Sequence, residues 1–177
     1  AGGAGYVGSH VVLALLDDGY GVTVLDNLST GCRWAVDQRA AFFEGDLQNG
    51  SLVRAIMEMH GVAAVIQLAG TMPPANGPGD PLGFYRGNTC ATRALIENAL
   101  ACGVKGFLLS ATAGTPAPAP APANSADTYA MSMQMAERML LDAAAFHPIH
   151  AGILRYFHAA GADPQGRCGQ IGAGGHF

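Results

Sequence analysis

The chain has 177 residues and a mass of 18.1 kDa, with 25 glycines, half of its residues hydrophobic and 12% charged. That is the length of one domain, rich enough in apolar residues to bury a core and too apolar for disorder. A formal charge of −4 offers no basic stripe for a nucleic-acid backbone, so nucleic acid is excluded as a partner. No apolar run reaches the roughly 20 residues of a membrane span, and the opening AGGAGYVGSH lacks the charged start of a signal peptide. Cys32, Cys90, Cys102 and Cys168 form no CxxC pair and read as reduced thiols packed as small hydrophobes, which places the chain in the cytoplasm.

In chain order, the pattern predicts a helix over 6–18, strands over 21–27 and 40–47, and a helix over 50–60. A strand over 62–70, a helix over 81–102, a strand over 104–112, a helix over 128–146 and a strand over 150–158 follow. Each strand run is nearly continuously apolar, as in parallel strands covered on both faces. The alternation predicts an α/β fold with a parallel sheet and right-handed crossovers. Two stretches interrupt it. Residues 71–80 (TMPPANGPGD) read as a Pro/Gly loop. Residues 113–126 read as a Pro/Ala-rich surface loop, extended and unable to join a ladder, within a single domain over 1–177.

The opening carries the strongest chemical signal. Gly2, Gly5 and Gly8 stand at GxxGxxG spacing, and the helical run SHVVLALLDDG follows directly. Residues without side chains let a backbone turn tightly and approach a pyrophosphate at a helix N-terminus, where the dipole and free N–H groups favour an anion. Gly2, Gly5, Tyr6, Val7 and Gly8 are therefore the candidate cofactor cradle. Asp26, 18 residues after Gly8 and followed by Asn27, stands where a carboxylate accepts the adenosine ribose hydroxyls. Such a carboxylate repels a 2′-phosphate and favours NAD over NADP. Asp46 and Leu47, at the next strand end, are candidates to bracket the adenine. Met131, Met133, Met135 and Met139 read as packing residues. His147 and His150 lack further donors at ligand spacing, so no metal site is expected.

With these residues in hand, the chain resembles the extended short-chain dehydrogenase/reductase family, in its UDP-glucose 4-epimerase branch. The matching blocks include GGAGYVGSHVVLALLDDGY, VTVLDNLSTG, FFEGDLQN, DTYAMS and LRYFHAAGADPQGRCGQ, in family order over nearly the whole chain. The resemblance implies bound NAD and interconversion of UDP-glucose and UDP-galactose through a 4-keto intermediate. In that chemistry a tyrosine takes the sugar 4-hydroxyl proton while the cofactor does the redox work. By this correspondence Tyr129 is the tyrosine and Ser110 the hydroxyl at the reacting oxygen. Thr112 and His158 join Ser110 on the UDP-hexose side, and Asn88 lies near the cofactor. Relatives tend to be dimers, so the resemblance implies a homodimer.

Departures fall on the catalytic side. The lysine of YxxxK is replaced by Met133, at i+4 from Tyr129 and so on the same helix face. A phenol without that ammonium, near its usual pKa of ~10, is ionised about one part in a thousand at pH 7. Gln67 replaces a family histidine and His158 a family asparagine. Asn76-Gly77 stands in place of an acidic pair, and Ala113-Gly114-Thr115 in place of a VYG block. A 4,6-dehydratase would carry Asp-Glu at Ala111-Thr112, and an NADP reductase an arginine at or after Asp26. Two readings remain: an NAD-dependent sugar-nucleotide epimerase with impaired activity, or a catalytically dead NAD-binding relative.

The expected fold is a Rossmann-like, doubly wound sheet of order 3-2-1-4-5-6 lacking its first strand, since the fingerprint begins at residue 2. The substrate domain that should follow AGADPQGRCGQ is also missing. A gap in mid-sheet predicts low stability, or a neighbouring segment filling the slot.

Overall fold

A computed structural model describes residues 1–73, 79–112 and 125–170, with the side chains of 125 and 126 left aside. The Pro/Ala run over 113–124, Asn76-Gly77 and Ala113-Gly114-Thr115 lie outside these residues. Helix α1 (Tyr6–Asp17) leads to β1 (Thr23–Asp26), β2 (Ala41–Glu44) and α2 (Gly50–His60). Strand β3 (Ala64–Gln67), α3 (Pro81–Phe84) and α4 (Ala91–Ala101) follow, then β4 (Gly106–Thr112), α5 (Ser125–Phe146) and β5 (His150–Tyr156).

All strand pairs are parallel, in two groups: β1 with β2, and β3-β4-β5. This is the α/β, Rossmann-like arrangement. The backbone of Ala1 and Gly2 joins the two groups, donating to the carbonyls of Ile66 and Leu25 at 2.8 and 2.9 Å.

Most of the core lies between α2, α4 and α5 and the strands, around Val53, Leu95, Ala99, Phe107, Leu109 and Leu140. A smaller cluster of Ala4, Val12, Val24, Val36 and Ala40 holds α1 against β1. Asn49 caps α2 by accepting from Leu52 N–H at 3.1 Å. Buried Glu137 on α5 receives the Arg155 guanidinium of β5, which ties that helix across the sheet.

Three corrections concern boundaries. The first three strands are four residues each, shorter than expected at both ends. The helix expected over 81–102 is interrupted by a π-helical turn, Tyr85–Cys90, between α3 and α4. The loop expected to run to 126 ends earlier, since α5 begins at Ser125.

Candidate active site

The upper rim of the sheet gathers the fingerprint, the ends of β1, β3 and β4, the π turn and the start of α5. In the fingerprint the chain packs on its own backbone. Gly2 has φ +81°, and a Cβ there would lie 2.4 Å from the Ala69 nitrogen. A Cβ on Gly8 would lie 1.9 Å from the Gly2 carbonyl oxygen. Both positions therefore require glycine. Gly5 differs: its Cβ would meet only the Gly2 oxygen, at 3.5 Å, so its opening is space beside the cradle and not a packing need.

Gly5 is also the N-cap of α1, and no side chain caps that end or places an acid in its first turn. The amides of Tyr6, Val7 and Gly8 are the donors a helix leaves unpaired at its start, which favour an anion. The Tyr6 phenol points elsewhere, donating to the Gly161 carbonyl at 2.7 Å. Asp26 accepts from Ala4 N–H and Leu28 N–H at 2.9 Å each, one bond per carboxylate oxygen. It holds the fingerprint loop to the end of β1, and each oxygen keeps a free lone pair for a hydroxyl. Asn27 donates to Asp46 at 3.1 Å, and Asp46 accepts from Gln48 N–H, so the two form one exposed rim.

The Leu47 side chain is buried in the core cluster, while Asp46 before it stays exposed on the rim.

Asn88 is held within the protein. The π turn buries it completely, and its amide is spent on the protein. Its Oδ1 accepts from Thr71 N–H at 2.7 Å, while Nδ2 donates to the Thr71 carbonyl at 3.0 Å and to Ser132 Oγ at 2.9 Å. Ser132 in turn donates to the Tyr129 carbonyl at 2.7 Å. Asn88 is thus a brace joining the loop after β3 to the tyrosine helix. Sequence reasoning missed Thr71, Gly87 and Ser132. Gly87 stands against the Thr71 hydroxyl, where a Cβ would approach to 1.9 Å. The signals were a glycine inside a helical run and a serine on an apolar stripe. Below them, Gln67 is buried and donates to Thr92 Oγ1 at 2.8 Å, while its own Oε1 has no hydrogen-bond partner among the described residues.

Tyr129 is half-buried, edge-on to Phe84 with ring centroids 6.1 Å apart. Burial, and after it the neighbouring Tyr156 phenol, push its pKa above the ordinary tyrosine value. Met133, one turn on, is buried and supplies no charge against this. Ser110, at the end of β4, shares a 2.6 Å hydrogen bond with the Tyr156 hydroxyl. Thr112 pairs with Tyr156 across β4 and β5. His158 is exposed beyond β5. Among the described residues no group of three His, Cys, Asp or Glu side chains converges as a metal site, and no helix is long and apolar enough to cross a membrane.

A parallel α/β sheet with a glycine cradle, an uncapped helix start and a carboxylate at the next strand end defines a dinucleotide-binding class of protein. The NAD dependent epimerase/dehydratase family matches residues 1–171, and the chain belongs to that family. It is 40% identical over 176 residues to the UDP-glucose 4-epimerase of Azospirillum brasilense, covering 96% of this chain and 51% of that protein. The UDP-glucose 4-epimerase of Brucella ovis, solved in complex with NAD, superposes with a TM-score of 0.85 at 33% identity, over 96% of this chain and 54% of that one. The Thermotoga maritima UDP-glucose 4-epimerase, solved with UDP-glucose, gives 0.80 at 31% identity, over 95% and 58%. The chain spans about half the length of these relatives.

Proposed function

We propose that this chain binds NAD at the fingerprint and carries the remains of a UDP-hexose 4-epimerase site beside it. The observation that carries the reading is the Gly2–Gly8 contact beside a start of α1 that no side chain caps. That arrangement fits the pyrophosphate, and the Asp26 carboxylate fits the adenosine ribose. NAD, when bound, supplies hydride exchange at C4 of the sugar.

The chain's own residues would do the rest. Tyr129 would take the 4-hydroxyl proton, and Ser110 would hold that oxygen once its bond to Tyr156 is exchanged for the substrate. Asn88 keeps the tyrosine helix in place through Ser132. The pKa of Tyr129 works against the first step, since a general base must be ionised near the working pH. Met133 and this upward shift favour a second reading, an NAD-binding chain with little or no turnover.

One experiment separates them. The chain is expressed, denatured and assayed for released NAD, and the native protein is tested for UDP-galactose conversion. Epimerase function predicts cofactor and conversion above blank. The second reading predicts cofactor alone, and absence of cofactor removes both. The homodimer and the cytoplasmic setting belong to the same proposal, tested by sedimentation and by cell fractionation.

A further inference from the structure

After β5 the chain turns back onto α1. Residues 161–168 close on themselves: Asp163 N–H donates to the Cys168 carbonyl at 3.0 Å, and Gly166 N–H to the Asp163 carbonyl at 2.9 Å. The Asp163 carboxylate accepts from the Gln165 and Arg167 amides at 3.1 Å each, and from the Arg167 guanidinium at 2.8 and 2.9 Å. These bonds shape the turn without help from the helix. It meets α1 at three points. The Tyr6 phenol donates to the Gly161 carbonyl at 2.7 Å, Cys168 Sγ lies 3.3 Å from His10 Nδ1, and Arg167 donates to Asp17 at 2.9 Å. Positions 6, 10 and 17 share one face of the helix and span its whole length, about 16 Å. Cys168 is the one buried residue between 157 and 170, so its thiol is covered while the turn is docked.

Tyr6 belongs to two sites at once. Its N–H lies at the uncapped start of α1, where an anion is favoured, and its hydroxyl holds the turn. We propose that the 161–168 turn is a clamp on the cofactor helix, whose closing and dinucleotide binding at the fingerprint strengthen each other. The proposal rests on the NAD reading above and adds a regulation to it. Each anchor is weak alone: one neutral hydrogen bond, one thiol–imidazole contact and one exposed ion pair. The clamp therefore opens far more often than the chain unfolds. A pyrophosphate on the Tyr6 amide fixes the residue whose side chain the closed clamp also fixes, so the second event meets a helix end already ordered by the first. Linkage makes the coupling reciprocal. The factor by which NAD closes the clamp is the factor by which the closed clamp tightens NAD.

Cys168 reads the state of the clamp. The chain is pulsed with iodoacetamide, with and without saturating NAD, and alkylation of Cys168 and Cys102 is followed by mass spectrometry of their peptides. Calorimetry measures NAD binding separately. NAD should slow alkylation of Cys168 roughly 10-fold and leave Cys102, at the far end of α4, nearly unchanged. Arg167→Gln removes the anchor about three turns from the fingerprint. It should speed Cys168 alkylation, weaken NAD several-fold and leave the urea midpoint close to the parent's. Tyr6→Phe combined with Arg167→Gln should weaken NAD by the factor by which NAD slows alkylation in the parent. NAD binding without slower alkylation of Cys168 overturns the proposal. Equal slowing at Cys102, the sign of global stabilisation, overturns it too, as does parent-like NAD affinity in the double variant. Absence of NAD binding by calorimetry removes the NAD reading, and the coupling with it.

Discussion

The fingerprint end of the rim and the tyrosine end are built from different materials. At the fingerprint, the atoms offered to a ligand are backbone amides, held by contacts at Gly2 and Gly8 that no side chain could enter. At the tyrosine end they are side-chain groups, and most are already engaged within the protein. Asn88 is bonded to Thr71 and Ser132, Ser110 is bonded to Tyr156, and Tyr129 is pushed away from ionisation. A backbone-built site is as durable as the fold that shapes it. A side-chain site depends on individual residues, and one methionine in place of lysine changes the chemistry while leaving the helix intact.

The sharpest way to break this contrast is at the glycines. Gly8→Ala puts a methyl carbon against a carbonyl that cannot move without opening the loop, and should cost roughly 3–5 kcal/mol. Against a typical stability of about 5–15 kcal/mol, urea unfolding should show a chain at the edge of folding. Gly5→Ala meets only ordinary contact and should change stability by no more than about 1 kcal/mol. Its methyl would stand beside the cradle, so NAD affinity should fall although the fold survives. Equal losses of stability in the two variants would break the distinction between packing glycine and binding glycine.

Asn88→Ala tests the brace. It strands the Thr71 N–H and carbonyl and removes the donor to Ser132, a loss of about 2–3 kcal/mol in urea unfolding. Stability close to the parent's would mean that the loop and the tyrosine helix do not need each other.

How far each end was legible follows from the same contrast. Continuous apolar runs mark strands buried on both faces, so the order of elements could be read directly. Strand ends could not, because Val62 and Leu68 look like strand residues and only the ladder shows that they lie outside it. The π turn keeps helical spacing of its apolar residues, which hid it, and with it the burial of Asn88. Leu47 follows an exposed aspartate, and nothing in the local pattern showed that its own side chain turns into the core. Tyr129 was legible in part: a hydrophobic residue at i+4 signalled a phenol without a cation near its usual pKa, while the burial that pushes it higher could not be read.

Met133→Lys would move the tyrosine end toward the durability of the other. Lysine at i+4 places an ammonium beside the phenol and should draw its pKa down toward and below the ordinary value, since an opposite charge favours the ionised form. UDP-galactose conversion at pH 7 should then rise roughly 10–100-fold above the parent rate. Position 133 is buried, so the ammonium must reach the rim or lose stability, and urea unfolding should show a cost of about 1–3 kcal/mol. An unchanged rate with NAD still bound would place the defect elsewhere, at His158 or beyond the described residues.

The smallest effect belongs to Tyr156→Phe, which isolates the second cause of the Tyr129 shift. The substitution keeps the ring and removes the hydroxyl, so Ser110 loses a 2.6 Å partner at a half-buried position, a change of no more than about 1 kcal/mol. Two consequences should follow together. Ser110 Oγ becomes free to bond a substrate oxygen, which should lower KM. The phenolate of Tyr129 loses a neighbour that would carry the same charge at high pH, so its ionisation should move downward while burial still holds it above the usual value. The rate–pH profile should therefore shift to slightly lower pH without gaining the plateau that Met133→Lys would give. A profile displaced as far as in Met133→Lys would mean that Tyr156, rather than burial, governs the Tyr129 phenol. The tyrosine end would then be limited by a removable neighbour and not by its own packing.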